Sequence, residues 1–269
     1  MLIRQRQILV QERHTNRKKY FDEQVFTTEK YVIPFISNTI TVDKNLSILE
    51  IGCGEGGNLK PFLDIGCKVT GVDLSERKIE NGKQFFIDHP NKNNLTLIVE
   101  DIYQSKTLEQ YDLIIMRDVI EHIHFQERFM SYVKKYLNPN GKFFLAFPPW
   151  YNPFGGHQQI CKNKILSALP YYHIFPKFVY KGILNLFNEE KNRIESLLEI
   201  KETGITIERF QKILSDNNYK IEKKYFYFIN PNYEIKFGLK PRKQLDLISS
   251  IPGLRNFITT SCYYVVSAN

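Results

Sequence analysis

The run Glu50-Ile-Gly-Cys-Gly-Glu-Gly-Gly57 follows directly on an apolar, strand-like segment at residues 46–51. Glycines at alternate positions, Gly52, Gly54 and Gly56, permit positive φ and let a ligand lie close against the backbone. Residues 58–65 read as a helix whose N-terminus points at the same spot. A strand, a tight turn and a helix are thus specified together, and the turn is built to hold a nucleoside. The run also reads as Gly52-x-Gly54-x-x-Gly57, so a dinucleotide is compatible with it and the rest of the chain has to decide the cofactor.

From residue 46 to 147 strand and helix patterns alternate, as a parallel sheet with crossover helices requires. Strands are expected at 46–51, 68–73, 95–99, 111–116 and 142–147, with helices after each of the first four. These include 75–88, capped by Ser75, and 123–137. The fold class is α/β, a doubly wound, mostly parallel seven-stranded sheet whose ligands sit at the carboxyl ends of the strands. Residues 1–45 form an N-terminal helical segment, either a lid over the cofactor cleft or an amphipathic helix packing Tyr20, Phe21 and Phe26 on the flank. Residues 46–150 form the cofactor-binding core. The rhythm breaks at Pro148, and 151–204 read as a helical, aromatic and basic cap inserted after the fifth strand. Residues 205–269 supply a helix at 206–217 and strands at 219–228 and 257–266 that complete the sheet.

A chain of 269 residues with 42% hydrophobic content can bury a full core. A net charge of +8 favours an anionic partner, but Lys and Arg are dispersed and form no block or stripe, so nucleic acid is not expected. Cys53, Cys67, Cys161 and Cys262 show no metal-finger or C-x-x-C spacing, which fits reduced thiols and a cytoplasmic location. No signal-peptide pattern opens the chain, and nowhere do about 18 apolar residues run together.

The second strand ends in Asp73, placed where a carboxylate accepts hydrogen bonds from both ribose hydroxyls. After the third strand, Asp101 offers an acceptor for the amino group of an adenine ring. Together, Leu49-Glu-Ile-Gly-Cys-Gly-Glu-Gly56, Val72-Asp-Leu-Ser75, Glu100-Asp101 and Tyr111-Asp-Leu-Ile-Ile-Met-Arg-Asp-Val-Ile-Glu-His-Ile123 resemble the class I S-adenosylmethionine-dependent methyltransferases, in the small-molecule branch that includes the ubiquinone-biosynthesis O-methyltransferases. The resemblance covers residues 46–150 and the last helix and two strands. It implies S-adenosyl-L-methionine as cofactor and S-adenosyl-L-homocysteine as product. It assigns Gly52, Cys53, Gly54 and Gly56 to the methionine moiety and turn, Asp73 and Leu74 to the ribose side, Asp101 and Ile102 to the adenine, and Arg117 to the cofactor cleft. Glu50 either contacts the cofactor or fixes the loop.

Methyl transfer is an in-line displacement that demands alignment, exclusion of water and removal of a proton when the acceptor is a hydroxyl. Candidates at the strand ends are Asp118, Glu121 and His122 after the fourth strand and His157 after the fifth, with Trp150, Tyr151 and Tyr20 expected in the substrate pocket. His157 is the first choice for a general base, because imidazole titrates near neutrality. His124 is expected on the exposed side of its turn. His14, His89 and His173 carry no functional expectation. On one α-helical turn Asp118, Glu121 and His122 would share a face, and His157 would complete a cation site. That set is similar to the Glu-x-x-Glu-His arrangement, completed by a distant His, of small-RNA 2′-O-methyltransferases. The surroundings of His157 depart from that pattern, and the metal-free reading is preferred: Glu121 satisfies backbone donors and His122 lines the pocket.

The expected function is S-adenosylmethionine-dependent O-methylation of a hydroxylated small molecule, such as a sugar or a lipid-linked or nucleotide-linked intermediate. The alternatives are a metal-dependent RNA 2′-O-methyltransferase and a cofactor-binding protein that has lost catalysis. The stretch 169–187 mixes aromatics with lysines, which suits a cap over the substrate pocket, ordinary packing, or peripheral contact with a membrane. The oligomeric state is open.

Overall fold

In the computed structural model, which describes residues 16–268, the apolar runs become β1 (Ser47–Ile51), β2 (Lys68–Asp73), β3 (Leu95–Val99), β4 (Tyr111–Arg117), β5 (Leu137–Phe147), β6 (Tyr219–Ile229), β7 (Arg242–Lys243) and β8 (Ser261–Ala268). The first part of the expected N-terminal segment, residues 1–15 with His14, lies outside the described residues. The helices are α1 (Arg17–Thr27), α2 (Ile33–Ile36), α3 (Lys60–Ile65), α4 (Glu76–Phe85), α5 (Gln126–Val133), α6 (Lys164–Ala168), α7 (Lys177–Leu186), α8 (Lys191–Thr203), α9 (Ile207–Asp216), α10 (Asn232–Phe237), α11 (Asp246–Ser249) and α12 (Leu254–Ile258).

One mixed sheet has the order β3-β2-β1-β4-β5-β8-β6-β7. The pairs among β1 to β5 are parallel, while β8 inserts antiparallel between β5 and β6. This is the expected doubly wound sheet. The strand beyond the expected seven is β7, a two-residue addition paired with the end of β6. The chain order changes direction between β1 and β4, and the ligand crevice of such sheets opens there at the carboxyl ends.

Side chains on β4 and β5 alternate between two cores, as the two-residue strand period dictates. Ile114, Met116, Phe143 and Leu145 face the helices that carry Phe129 and Phe210. Leu113, Ile115 and Phe144 face the layer of Phe21, Phe62 and Ile79. Because both faces are covered, these strands read as continuous apolar runs. The cap has its own smaller core of Leu166, Tyr172, Tyr180, Leu184 and Leu197.

Several local expectations change. Ser75 stands at the N-cap of α4, but its side chain makes no capping bond; Asp73 Oδ1 accepts the Ser75 N–H at 2.9 Å instead. The helix expected at 123–137 is shorter: a 3-10 turn at Ile120–His122 precedes α5, and β5 already begins at Leu137. Phe257, expected to open the last strand, belongs to α12. No helix among the described residues is long and apolar enough to cross a membrane.

Candidate active site

The glycine turn is held open by backbone geometry that glycine tolerates. Gly52 and Gly54 have φ of +72° and +56°, and a Cβ on Gly52 would lie 2.6 Å from Val119 Cγ2. The turn therefore packs directly against the segment that follows β4. Gly54 donates its N–H to Asp73 Oδ2 at 2.9 Å. With its other oxygen on Ser75, Asp73 ties loop, strand and helix together, and each carboxylate oxygen keeps acceptor capacity for a hydroxyl.

Glu50 is fully enclosed and does not reach the cleft. Its Oε1 accepts from Asn58 Nδ2 at 2.6 Å, and Asn58 Oδ1 in turn accepts from Arg117 at 2.8 Å and from Thr28 at 2.9 Å. Arg117 also donates to Asn232 at the start of α10. Of the two roles left open for Glu50, this geometry corresponds to fixing the loop. Burial pushes its carboxyl up to about 8, opposed by Asn58 and Arg117. The proton is thus held more tightly in the folded chain than in the unfolded one. The stabilisation is complete below the ordinary value of 4.5 and is lost as pH rises towards 8. The melting temperature of the cofactor-free protein should therefore fall relative to Glu50→Gln by roughly 2–4 °C per pH unit between pH 5 and 8. Parallel melting curves for the two proteins would contradict this.

A cavity of about 1410 Å³ opens above the turn. Its walls include Gly52, Gly54, Asp73, Leu74, Asp101 and Ile102, the residues expected to hold a nucleoside. Arg117, Asp118, His122 and Tyr20 also face it. Cys53 does not: its side chain points into the core, where a Cβ on Gly71 would meet its Sγ at 2.7 Å. Gly56 likewise packs beneath Phe86 rather than facing the cavity.

Arg17, Tyr20 and Gln24 of α1 line one side of the cavity, while Phe21 of the same helix packs in the core. A Cβ on Gly57 would meet Phe21 O and Gln24 Oε1 at 2.7 Å. Arg17 clasps the buried carboxylate of Glu55 through both oxygens, at 2.6 and 2.5 Å. Neither Arg17 nor Asn232 carried a recognisable signal, because their partners lie in distant parts of the chain.

Two residues expected in the substrate pocket are elsewhere. Trp150 packs on Gly204, sets its ring edge-on to His173 and receives Lys201 over its face. Tyr151 stacks on Phe257 at 5.1 Å. From the cap it is Phe154, Gln159, Cys161, Lys164 and Ser167 that line the cavity, not the aromatic stretch. Of that stretch, Tyr172 and Tyr180 fill the cap's own core, while Phe178 and Leu186 are exposed.

Asp118 and His157 both adopt left-handed backbone, with φ of 56° and 55°. Such conformations concentrate where surrounding structure holds a functional group in place. Because Asp118 has left-handed backbone and a 3-10 turn follows it, Asp118, Glu121 and His122 do not share an α-helical face, and Asp118 is not in the group whose ligand atoms converge. Glu121, His122 and His157 do converge: their ligand atoms lie within 4.8 Å of one another, and the two imidazole rings meet edge-on at 4.9 Å. Burial lowers both imidazoles below their ordinary range, with His122 and His173 adding to the effect on His157. Burial first, and then Asp118, raises Glu121. The carbonyl of Glu121 accepts from Thr203 Oγ1 at 2.6 Å, and Gln126 Nε2 spans Ile120 O and Thr203 O. The end of α8 therefore clamps this turn.

Among the described residues, the other histidines are structural or peripheral. His173 is held between Gln158 and the Trp150 carbonyl, His89 meets Asp64, and His124 lies near Glu199 on the surface.

A doubly wound sheet with one antiparallel insertion, a glycine turn after β1 and acids after β2 and β3 define a class I S-adenosylmethionine-dependent methyltransferase. The family model described as a methyltransferase domain matches residues 21–189, and the chain belongs to that family. The ubiquinone biosynthesis O-methyltransferase of Pelagibacter ubique (strain HTCC1062) is 32% identical over 103 residues, which cover 38% of this chain and 42% of that protein. The enzyme of the same name from Bartonella tribocorum (strain CIP 105476 / IBS 506) is 31% identical over 175 residues, 60% of this chain and 64% of that protein. The match thus spans less than two thirds of either relative. Magnesium protoporphyrin IX methyltransferase of Synechocystis PCC 6803, solved with S-adenosylhomocysteine bound, shares the fold at a TM-score of 0.53 and 17% identity, over 90% of this chain and 82% of that one.

Proposed function

We propose that this protein transfers the methyl group of S-adenosylmethionine to a hydroxyl oxygen of a small molecule, with an acceptor that carries a negative charge preferred. The observation that carries the reading is the single cavity shared by the cofactor residues and the cap. Its volume of about 1410 Å³ exceeds the roughly 300–1,000 Å³ of a pocket for one ligand, which leaves room for an acceptor beside the cofactor. Arg117, Lys164 and Lys236 on the walls favour an anionic group such as phosphate. Both relatives described above are named O-methyltransferases, which supports oxygen as the acceptor atom.

The residues present fit the cofactor, since glycine backbone, Asp73 and Asp101 share one wall. When bound, it supplies an electrophilic methyl on a sulfonium. The chain's own contribution is positional. Asp73 fixes the turn and accepts ribose hydroxyls, α1 and the cap exclude water, and Asp118 and His122 stand on the acceptor side as proton acceptors. His157 lies behind His122 rather than on the cavity wall, so its contribution passes through that neighbour.

The test is a panel of phenols, sugars and their phosphate esters incubated with methyl-labelled cofactor, with the product's label located by NMR. Expected is an O-methyl product, with the phosphorylated members turned over more efficiently. Label on nitrogen or carbon, or no turnover of any hydroxylated acceptor despite cofactor binding, would sink the proposal.

A further inference from the structure

The connection between β6 and β7 carries α10, and Tyr233, Lys236 and Phe237 of this helix line the same cavity as Gly52, Asp73 and Asp101. Yet α10 has six residues, none of them buried. Isolated helices shorter than about 12–15 residues are marginal in water, so tertiary ties must hold this one in place. Asn232 Oδ1 accepts from Arg117, which also donates to Asn58 at 2.8 Å, directly after the glycine turn. Glu234 accepts from Lys30 at 2.8 Å and from Tyr31. Lys30 and Tyr31 belong to a π-helical turn, Thr28–Val32, that continues α1. In turn α1 packs along α10 and brings Arg17, Tyr20 and Gln24 to the cavity. Where Tyr20, Arg117 and Asn232 meet, a void of only about 10 Å³ remains, no more than one water needs. One wall of the cavity is therefore tied to the two elements that flank the cofactor residues.

We propose that Asn232 and Glu234 are positioning residues that make the acceptor-side wall conditional on the cofactor. Filling the cofactor cleft fixes the glycine turn and α1. These hold Arg117, Lys30 and Tyr31, and those three side chains dock α10. A ligand shifts such an equilibrium by the difference between its affinities for the docked and undocked states, so the cofactor draws α10 into place without touching Asn232 or Glu234. Tyr233, Lys236 and Phe237 are then ready for the acceptor only after the cofactor is bound. That this wall serves the acceptor rests on the O-methyltransferase reading, whereas the coupling rests on the ties themselves.

The experiment uses the full chain and S-adenosylhomocysteine as probe, with amide hydrogen exchange followed by mass spectrometry at a saturating concentration for each protein. In the wild type, the probe should slow exchange about tenfold or more both at residues 17–27 and at 232–237. In the double variant Asn232→Ala with Glu234→Ala, the slowing at 17–27 should remain and that at 232–237 should fall below about threefold. Asn232→Asp keeps an accepting oxygen for Arg117 and should behave like the wild type. Coupling is reciprocal, so calorimetry should show the double variant binding the probe up to about tenfold more weakly, which also establishes that it is folded. Full protection of 232–237 in the double variant would show direct contact with the cofactor and overturn the relay. An Asn232→Asp protein that loses protection as the double variant does would remove Asn232 from it. A wild type that binds the probe without protecting 232–237 would sink the coupling alone, and one that does not bind the probe would sink the methyltransferase reading.

Discussion

Replacing Asp73 with asparagine should weaken S-adenosylmethionine binding about 100-fold while leaving the sheet intact. The wild-type carboxylate accepts from Gly54 N–H and Ser75 N–H, both at 2.9 Å, and has Lys78 Nζ 3.7 Å away. Asparagine keeps the shape but has one accepting oxygen, so its amide group must face one of those N–H donors. The loop then loses an anchor in the same step as the ribose loses its charged acceptor. Hydrogen bonds to charged groups contribute roughly 1.5–3 kcal/mol each, so loss of one or two gives the expected factor. Asp101 should matter less: its Oδ1 already closes a local turn with Tyr103 N–H at 3.0 Å, and Asp101→Asn should cost about tenfold or less. Titration calorimetry on the two variants checks both the size and the order. An Asp73→Asn protein that binds within threefold of wild type would refute the assignment.

The contrast between these two acids shows what the sequence makes legible. Gly52, Gly54, Asp73 and Asp101 were recognisable because each sits at a strand end and acts on its immediate neighbourhood, which strand period and turn chemistry specify. The sheet was recognisable for the same reason. Trp150 and Tyr151 were misplaced because residue type says nothing about which way a loop aromatic faces; Gly204 and Phe257, far along the chain, decide that. The shared helical face for Asp118, Glu121 and His122 failed at one residue. Asp118 takes φ of 56°, and a 3-10 turn replaces the α-helix that the spacing presumed. The convergence of Glu121 with His157 survives because it depends on a tertiary clamp, Thr203 on the Glu121 carbonyl, and not on helical periodicity. Networks such as Glu50–Asn58–Arg117–Asn232 leave no local trace, since their members come from three separate segments.

The Arg17–Glu55 pair lies beyond sequence reading in the same way, and breaking it should have the second large effect. Glu55 is fully buried in the glycine loop, and Arg17 is 23% exposed at the start of α1. Arg17→Ala leaves a buried carboxylate without its partner, which costs about 3–5 kcal/mol for a wholly buried pair and less where water reaches the guanidinium site, so about 2–3 kcal/mol is expected here. The helix is peripheral, and the cheapest response is for α1 to lift and let water reach Glu55, not for the sheet to unfold. The cofactor cleft then stays open most of the time. Apparent affinity falls with the closed fraction, by roughly 30–100-fold, chiefly through faster release. Hydrogen exchange should rise along residues 17–27 and remain unchanged in β1 and β4. Arg17→Ala combined with Glu55→Gln removes the stranded charge, so the double variant should recover part of the lost affinity. A double variant that binds no better than Arg17→Ala alone would show that Arg17 acts on the cofactor directly and not by latching the lid to the loop.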